Sequence, residues 1–219
     1  MAPAPRPGWI VILNGAPRSG KSSIAAAIQE SFDGAWMSLG VDAHVNAITP
    51  PRFRPGIGLR PGGERPDLEP LLPAFYAALY ESIAAHSRLG LDVVVDVGHH
   101  DDYSRPLRIL PDCARRLAGL PVLFVGVRCP IETNMQRRRA GQVGREGLYA
   151  VGTAGEPVPA PVQRWQNAVH VPGIYDLELD TSQLTPAECA ARILARLTDG
   201  IPRPTAFERL VELAPLTES

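Results

Sequence analysis

The chain has 219 residues, 45% of them hydrophobic and 21% charged, which suits a domain that buries its own core and excludes a disordered chain. A formal net charge of −1 provides no general positive field for a nucleic acid backbone, and no apolar run is long enough to cross a bilayer, so neither nucleic acid nor membrane is expected as a partner. Three widely spaced cysteines, Cys113, Cys129 and Cys189, make neither a disulfide framework nor a zinc site, and the opening MAPAPRPGW has no apolar leader core; a reduced, cytoplasmic setting is expected.

The first continuous apolar run, Trp9 to Asn14, reads as a strand buried on both faces. It leads into GAPRSGKS, Gly15 to Ser22, and the helix-forming SSIAAAIQESF follows. The pattern GxxxxGK[ST] between a strand and a helix is a phosphate loop. Gly15 and Gly20 let the backbone wrap so that N–H groups and the helix end face a β-phosphate. Lys21 then reaches the β and γ oxygens, and Ser22 offers a hydroxyl to Mg²⁺. The expected nucleotide site comprises Gly15, Ala16, Pro17, Arg18, Ser19, Gly20, Lys21, Ser22 and Ser23. Of the 22 basic residues, Lys21 is the single lysine, placed where a compact ammonium is needed rather than the wide fork of an arginine. GTPases normally read guanine through an N-K-x-D element, and the chain has no second lysine for one. ATP is the expected donor, with GTP left open.

A second strand, AWMSLGVD, is expected to end at Asp42, at the carboxyl edge where open α/β sheets bind ligands. There Asp42 would contact the acceptor and take the proton from its hydroxyl; the bland reading is a helix cap or a group bonded to an Mg²⁺ water. Residues 49–66, dense in Pro, Gly and Arg, read as a mobile loop that closes over the acceptor, with Arg52, Arg54, Arg60 and Arg65 suited to an oxygen-rich or anionic one. Asp67 is expected to cap a long helix running through Leu71, Phe75, Leu79 and Ile83. In the third strand, LDVVVDV, Asp96 resembles the acid that holds Mg²⁺ or orients Ser22, beside the substrate. His99, His100, Asp101 and Asp102 follow on a solvated or substrate-facing loop, with His99 the candidate substrate contact; adjacent histidines do not by themselves converge on a metal.

The fourth strand, PVLFVGVRC, places Arg128 at its carboxyl end as a nucleotide ligand. Arg137, Arg138 and Arg139 come next; neighbours on a helix diverge by about 100°, so at most one or two reach the phosphates. Arg137 and Arg145 are the candidates, on an Arg-rich lid spanning about 130–150. A second irregular stretch covers 144–161, and Tyr149 and Trp165 offer stacking surfaces. IYDLELDTS forms the fifth strand and brings Thr181 to the nucleotide. A capping box, Thr185 to Glu188, opens a last helix expected to face the sheet with Ala191, Ile193, Leu194 and Leu197. The expected fold is α/β, doubly wound, with a mostly parallel five-stranded sheet of the P-loop kinase type. It would span 1–200, followed by a tail, 201–219, whose Phe207, Leu210, Val211 and Leu213 suit an extra helix or a contact.

The ordered pieces IVILNGAPRSGKSS, LGVDAHVNAITP, VVVDVG, LFVGVRC with its Arg-rich helix, and YDLELDTS resemble the chloramphenicol phosphotransferase family over about Trp9 to Leu197. The resemblance implies ATP-dependent phosphorylation of a small molecule's hydroxyl. Asp42 would match the family's base, Lys21 and Ser22 its nucleotide site, and antibiotic inactivation its familiar role. Pro17 and Arg18 stand where the family tends to have small residues, and the loop at 49–66 and the tail look like additions. Two alternatives stay open: a nucleoside or nucleotide-sugar kinase of the same fold, and a regulatory nucleotide-binding module.

Overall fold

The strands β1 (Ile10–Asn14), β2 (Trp36–Ser38), β3 (Asp92–Val97), β4 (Val122–Arg128) and β5 (Leu177–Asp180) form one parallel sheet in the order β2-β3-β1-β4-β5. The computed structural model describes residues 6–141 and 149–213. β1 is central, pairing Ile10 with Val93 on one side and with Val122 on the other, and all five of its residues are buried. Strands buried on both faces need continuous apolar sequence, as the runs in β1, β3 and β4 supply.

Side-chain alternation divides the core in two. Ile10, Ile12, Val93, Val95, Val122 and Phe124 face α3 (Leu72–Arg88), α4 (Ile109–Arg116) and α8 (Ala206–Glu212). Val11, Leu13, Val94, Leu123 and Val125 face α1 (Lys21–Ser31) and α7 (Pro186–Asp199). The tail expectation takes its helical form: Ala206, Phe207 and Leu210 of α8 are buried, with the Phe207 ring 5.1 Å from that of Phe124. The capping box of α7 is present, with reciprocal bonds between Thr185 and Glu188. Its buried face is Cys189, Ala190, Ile193 and Leu197, and both Ala191 and Leu194 are exposed.

Two boundaries differ from expectation for identifiable reasons. Asp67 caps nothing and pairs with Arg65 at 2.7 Å; α3 begins at Leu72 after a 3₁₀ turn, Glu69–Leu71. Pro73 lacks an N–H and its ring would clash with the preceding turn, so it fits only the first turn of a helix. β2 stops at Ser38, and Asp42 lies in the short helix α2 (Val41–Ala43) beyond it. The chain turns at Gly40, whose position is pressed against Asp96: a Cβ there would stand 1.7 Å from Asp96 Oδ1.

The loop 49–66 is packed down. Ile57 and Leu59 belong to the core, the Tyr76 hydroxyl donates to Ile57 O at 2.8 Å, and Gly62 N donates to Asp102 O at 2.7 Å. Gly62 adopts φ 109° and lies under the Arg164 guanidinium, a left-handed position that a side chain would neither fit nor favour. Glycine serves a fixed turn here instead of a hinge.

Candidate functional site

The turn between β1 and α1 wraps as the motif requires. Gly20 precedes α1 with φ 98°, and no side chain caps the helix, so its first N–H groups are available to a ligand. Gly15 is enclosed, since a Cβ would meet Val127 O at 2.5 Å and Ser19 Oγ at 2.8 Å. Lys21 donates to the carbonyls of Gly15 at 2.7 Å and Ala16 at 2.9 Å. Burial lowers its pKa to about 8, while the carboxylates of Asp96 and Asp42 act in the opposite direction, favouring the ammonium. Both expected acids thus face Lys21. Ser22 Oγ donates to Asp96 Oδ2 at 2.7 Å, bringing a hydroxyl and a carboxylate together at the helix start.

A cavity of about 300 Å³ opens beside this loop, on the α1–α7 side, lined by Arg18, Lys21, Arg137, Tyr149, Thr181 and Pro186 among others. Arg137 ties its walls together, donating to Thr181 Oγ1 at 3.0 Å and to Thr181 O at 2.6 Å; Thr181 Oγ1 in turn donates to Ser19 O at 2.8 Å. Arg18 donates to the carbonyls of Arg137 and Gly141 and lies 5.3 Å from the Tyr149 ring centre. The three consecutive arginines diverge as helical geometry demands. Arg137 turns to Thr181, Arg138 is buried against Asn134 and the Pro17 carbonyl, and Arg139 reaches Pro157 O at 3.2 Å. Ser23 also lines the cavity, and Ala16 and Pro17 contribute through their backbone carbonyls. Arg145 lies outside the described residues.

Three expectations need correction. Arg128 is not at the nucleotide cavity: it lies on the opposite face of the sheet, paired with Glu178 at 2.6 Å and 5.6 Å from the Tyr175 ring centre. His99 is no solvated or substrate-facing group. At 2% exposure its ring is enclosed between Tyr76 and Tyr80, bonded to the Tyr80 hydroxyl at 2.7 Å, and burial lowers its pKa to about 3. The loop arginines are engaged locally: Arg54 with the carbonyls of Asn46 and Thr49, Arg65 with Asp67, and Arg60 with Glu64 at 3.7 Å. His100 is buried as well, and no cluster of three His, Cys, Asp or Glu suited to a metal exists among the described residues.

Asn14, Asn134, Tyr149, Leu184 and Pro186 also shape the site. Asn14 had a visible signal, a polar residue ending an apolar strand; Asn134, holding Pro17 O at 2.9 Å, had none.

A phosphate loop at the carboxyl end of the central strand, with two acids facing its lysine, defines a P-loop kinase. The profile of the family described as chloramphenicol phosphotransferase-like protein matches residues 8–198, and the chain belongs to that family. A candidate O-phosphotransferase of Mycobacterium tuberculosis strain H37Rv is 30% identical over 216 residues, covering 93% of this chain and 88% of that protein. Among solved structures, the Mycobacterium tuberculosis APS kinase in complex with AMPPNP and APS superposes with a TM-score of 0.54 at 20% identity, over 90% of this chain and 100% of that one. The Acinetobacter baumannii shikimate kinase does so at 0.55 and 14%, over 88% and 93%. These two likenesses are of fold. With the family, they make the protein a phosphotransferase with an alcohol group as acceptor.

Proposed function

We propose that the protein transfers the γ-phosphoryl group of ATP to a hydroxyl of a small-molecule antibiotic or related natural product, in the cytoplasm, and thereby confers resistance. The reaction type rests chiefly on one observation: Asp42 and Asp96, from different elements, both act on Lys21 at the mouth of the phosphate loop. Lys21 leaves the Gly15 and Ala16 carbonyls to neutralise the phosphate oxygens. Asp42 accepts the proton as the acceptor oxygen forms its bond to the γ-phosphorus, and the bond to the bridging oxygen breaks with its electron pair leaving on ADP. The donor set of Ser22 hydroxyl and Asp96 carboxylate is all oxygen and suits Mg²⁺, which when bound would bridge and neutralise the β- and γ-phosphates. Arg137 and, from the sequence, Arg145 supply charge at the transferring group. The antibiotic acceptor is suggested by the family description alone.

The test is a screen of hydroxylated antibiotics, nucleosides and sugars with γ-labelled ATP, using Lys21→Ala as the blank. Label transfer to an antibiotic supports the reading. Transfer to nucleosides alone reassigns the acceptor, and nucleotide hydrolysis indifferent to every alcohol removes the kinase assignment.

A further inference from the structure

Strand alternation assigns the site's two halves to opposite faces of the sheet. Asp96, Ser22 and the cavity lie on the α1–α7 side, whereas Asn14, Arg128 and Tyr175 lie on the side of α3, α4 and α8. On that second side a chain of hydrogen bonds begins at the last residue of β1. Asn14 Oδ1 accepts from His99 N at 2.8 Å, which orients the amide, and Asn14 Nδ2 donates to Val169 O at 2.8 Å and Tyr175 Oη at 2.9 Å. Tyr175 Oη lies 2.8 Å from His170 Nδ1 and has no other acceptor among the described residues, so its proton turns to that nitrogen. His170 therefore carries its own proton on Nε2, which makes no hydrogen bond among the described residues.

The surroundings indicate what this N–H faces. Burial, then Arg128, then Lys21 lower the pKa of His170 to about 4, so the ring is a neutral donor with two cations nearby. Glu178 offsets Arg128 through their ion pair. Two cations and a neutral N–H around the entry to a phosphate loop suit an oxyanion.

We propose that His170 contacts the transferring group: its Nε2–H donor, fixed through Tyr175 by Asn14, holds a γ-phosphoryl oxygen from the side of the sheet opposite Ser22 and Asp96. This rests on the kinase reading above and adds a residue to it. His170 completes a ring of donors in which Lys21 sits between the metal-facing hydroxyl and the imidazole.

The full chain labelled with ¹⁵N, examined by NMR with Mg²⁺ and either AMPPNP or ADP, tests this. The free protein should show His170 as the neutral Nε2–H tautomer, and Tyr175→Phe should lose that single tautomer. AMPPNP, and not ADP, should move the His170 Nε2–H resonance. His170→Phe should weaken AMPPNP about tenfold or more with ADP nearly unchanged, and His170→Gln, which keeps an N–H at similar reach, should recover most of the loss. If the Gly20 to Ser22 amides respond to AMPPNP while His170 does not, or if His170→Phe binds AMPPNP like the parent, the inference is overturned and the kinase reading stands. If neither nucleotide moves those amides, both are overturned.

Discussion

Ser22 Oγ donates to Asp96 Oδ2 at 2.7 Å, joining the start of α1 to the penultimate residue of β3. Gly40 keeps the space beside that carboxylate open, because a Cβ at position 40 would overlap it. One close pair thus ties the phosphate loop to the strand that follows the acceptor loop. If the pair holds Mg²⁺, Asp96→Asn should raise the Mg²⁺ concentration for half-maximal turnover about tenfold or more, with the melting temperature little changed. Titrating Mg²⁺ at fixed ATP checks this; an unaltered requirement would make the pair purely structural.

Asp42 and Asp96 both face Lys21, but only Asp42 comes from the element expected to meet the acceptor. Asp42→Asn is nearly isosteric and should lower kcat for phosphotransfer by about 10² or more while ATP affinity stays within a few-fold. Steady-state kinetics beside a direct nucleotide-binding measurement separates the two. A parallel collapse of affinity would place Asp42 with the nucleotide.

Arg137 links Thr181 to the backbone of the phosphate loop, at 3.4 Å from Arg18 O. Arg137→Lys retains the charge and loses the planar fork, so it should weaken ATP nearly as much as Arg137→Ala does, by about tenfold. Calorimetric titration of both variants decides whether geometry or charge is what matters.

The loop at 49–66 is anchored by core residues, so shortening it should cost stability before it alters specificity. Leu59 is 2% exposed, and Leu59→Ala should cost about 2–5 kcal/mol by opening a cavity under α3. Denaturant unfolding measures it. A loss under about 1 kcal/mol would show that the loop is not part of the core.

Stability should fall on mild acidification. His99 titrates at about 3 and His170 at about 4 in the folded protein, against an ordinary value of 6.5. The unfolded chain therefore takes up protons first. Stability is full above about pH 6.5 and is lost as the pH falls toward 4, by at most about 1.4 kcal/mol per pH unit for each histidine. Melting temperatures between pH 7.5 and 4.5 should show this slope, and His99→Gln should flatten it.

The sequence by itself determined the features that local chemistry dictates. Three buried strands follow from continuous apolar runs, the phosphate loop from two glycines and a lysine between a strand and a helix, and the α7 cap from Thr185 and Glu188. The family was legible for the same reason, since its marks are short contiguous motifs. Tertiary structure decided what depends on which face a side chain takes. Arg128 and Thr181 both belong to the carboxyl edge, yet alternation sends Arg128 to Glu178 and away from the nucleotide cavity that Thr181 lines. His99 looked like a polar loop residue until Tyr76 and Tyr80, a helix away in sequence, enclosed it. Loop 49–66 has the composition of a mobile segment, and only the arrival of α3 beneath it turns Ile57 and Leu59 into core. Composition records what each residue prefers alone; which residues meet is set by the crossover connections of the sheet, and no local pattern encodes that.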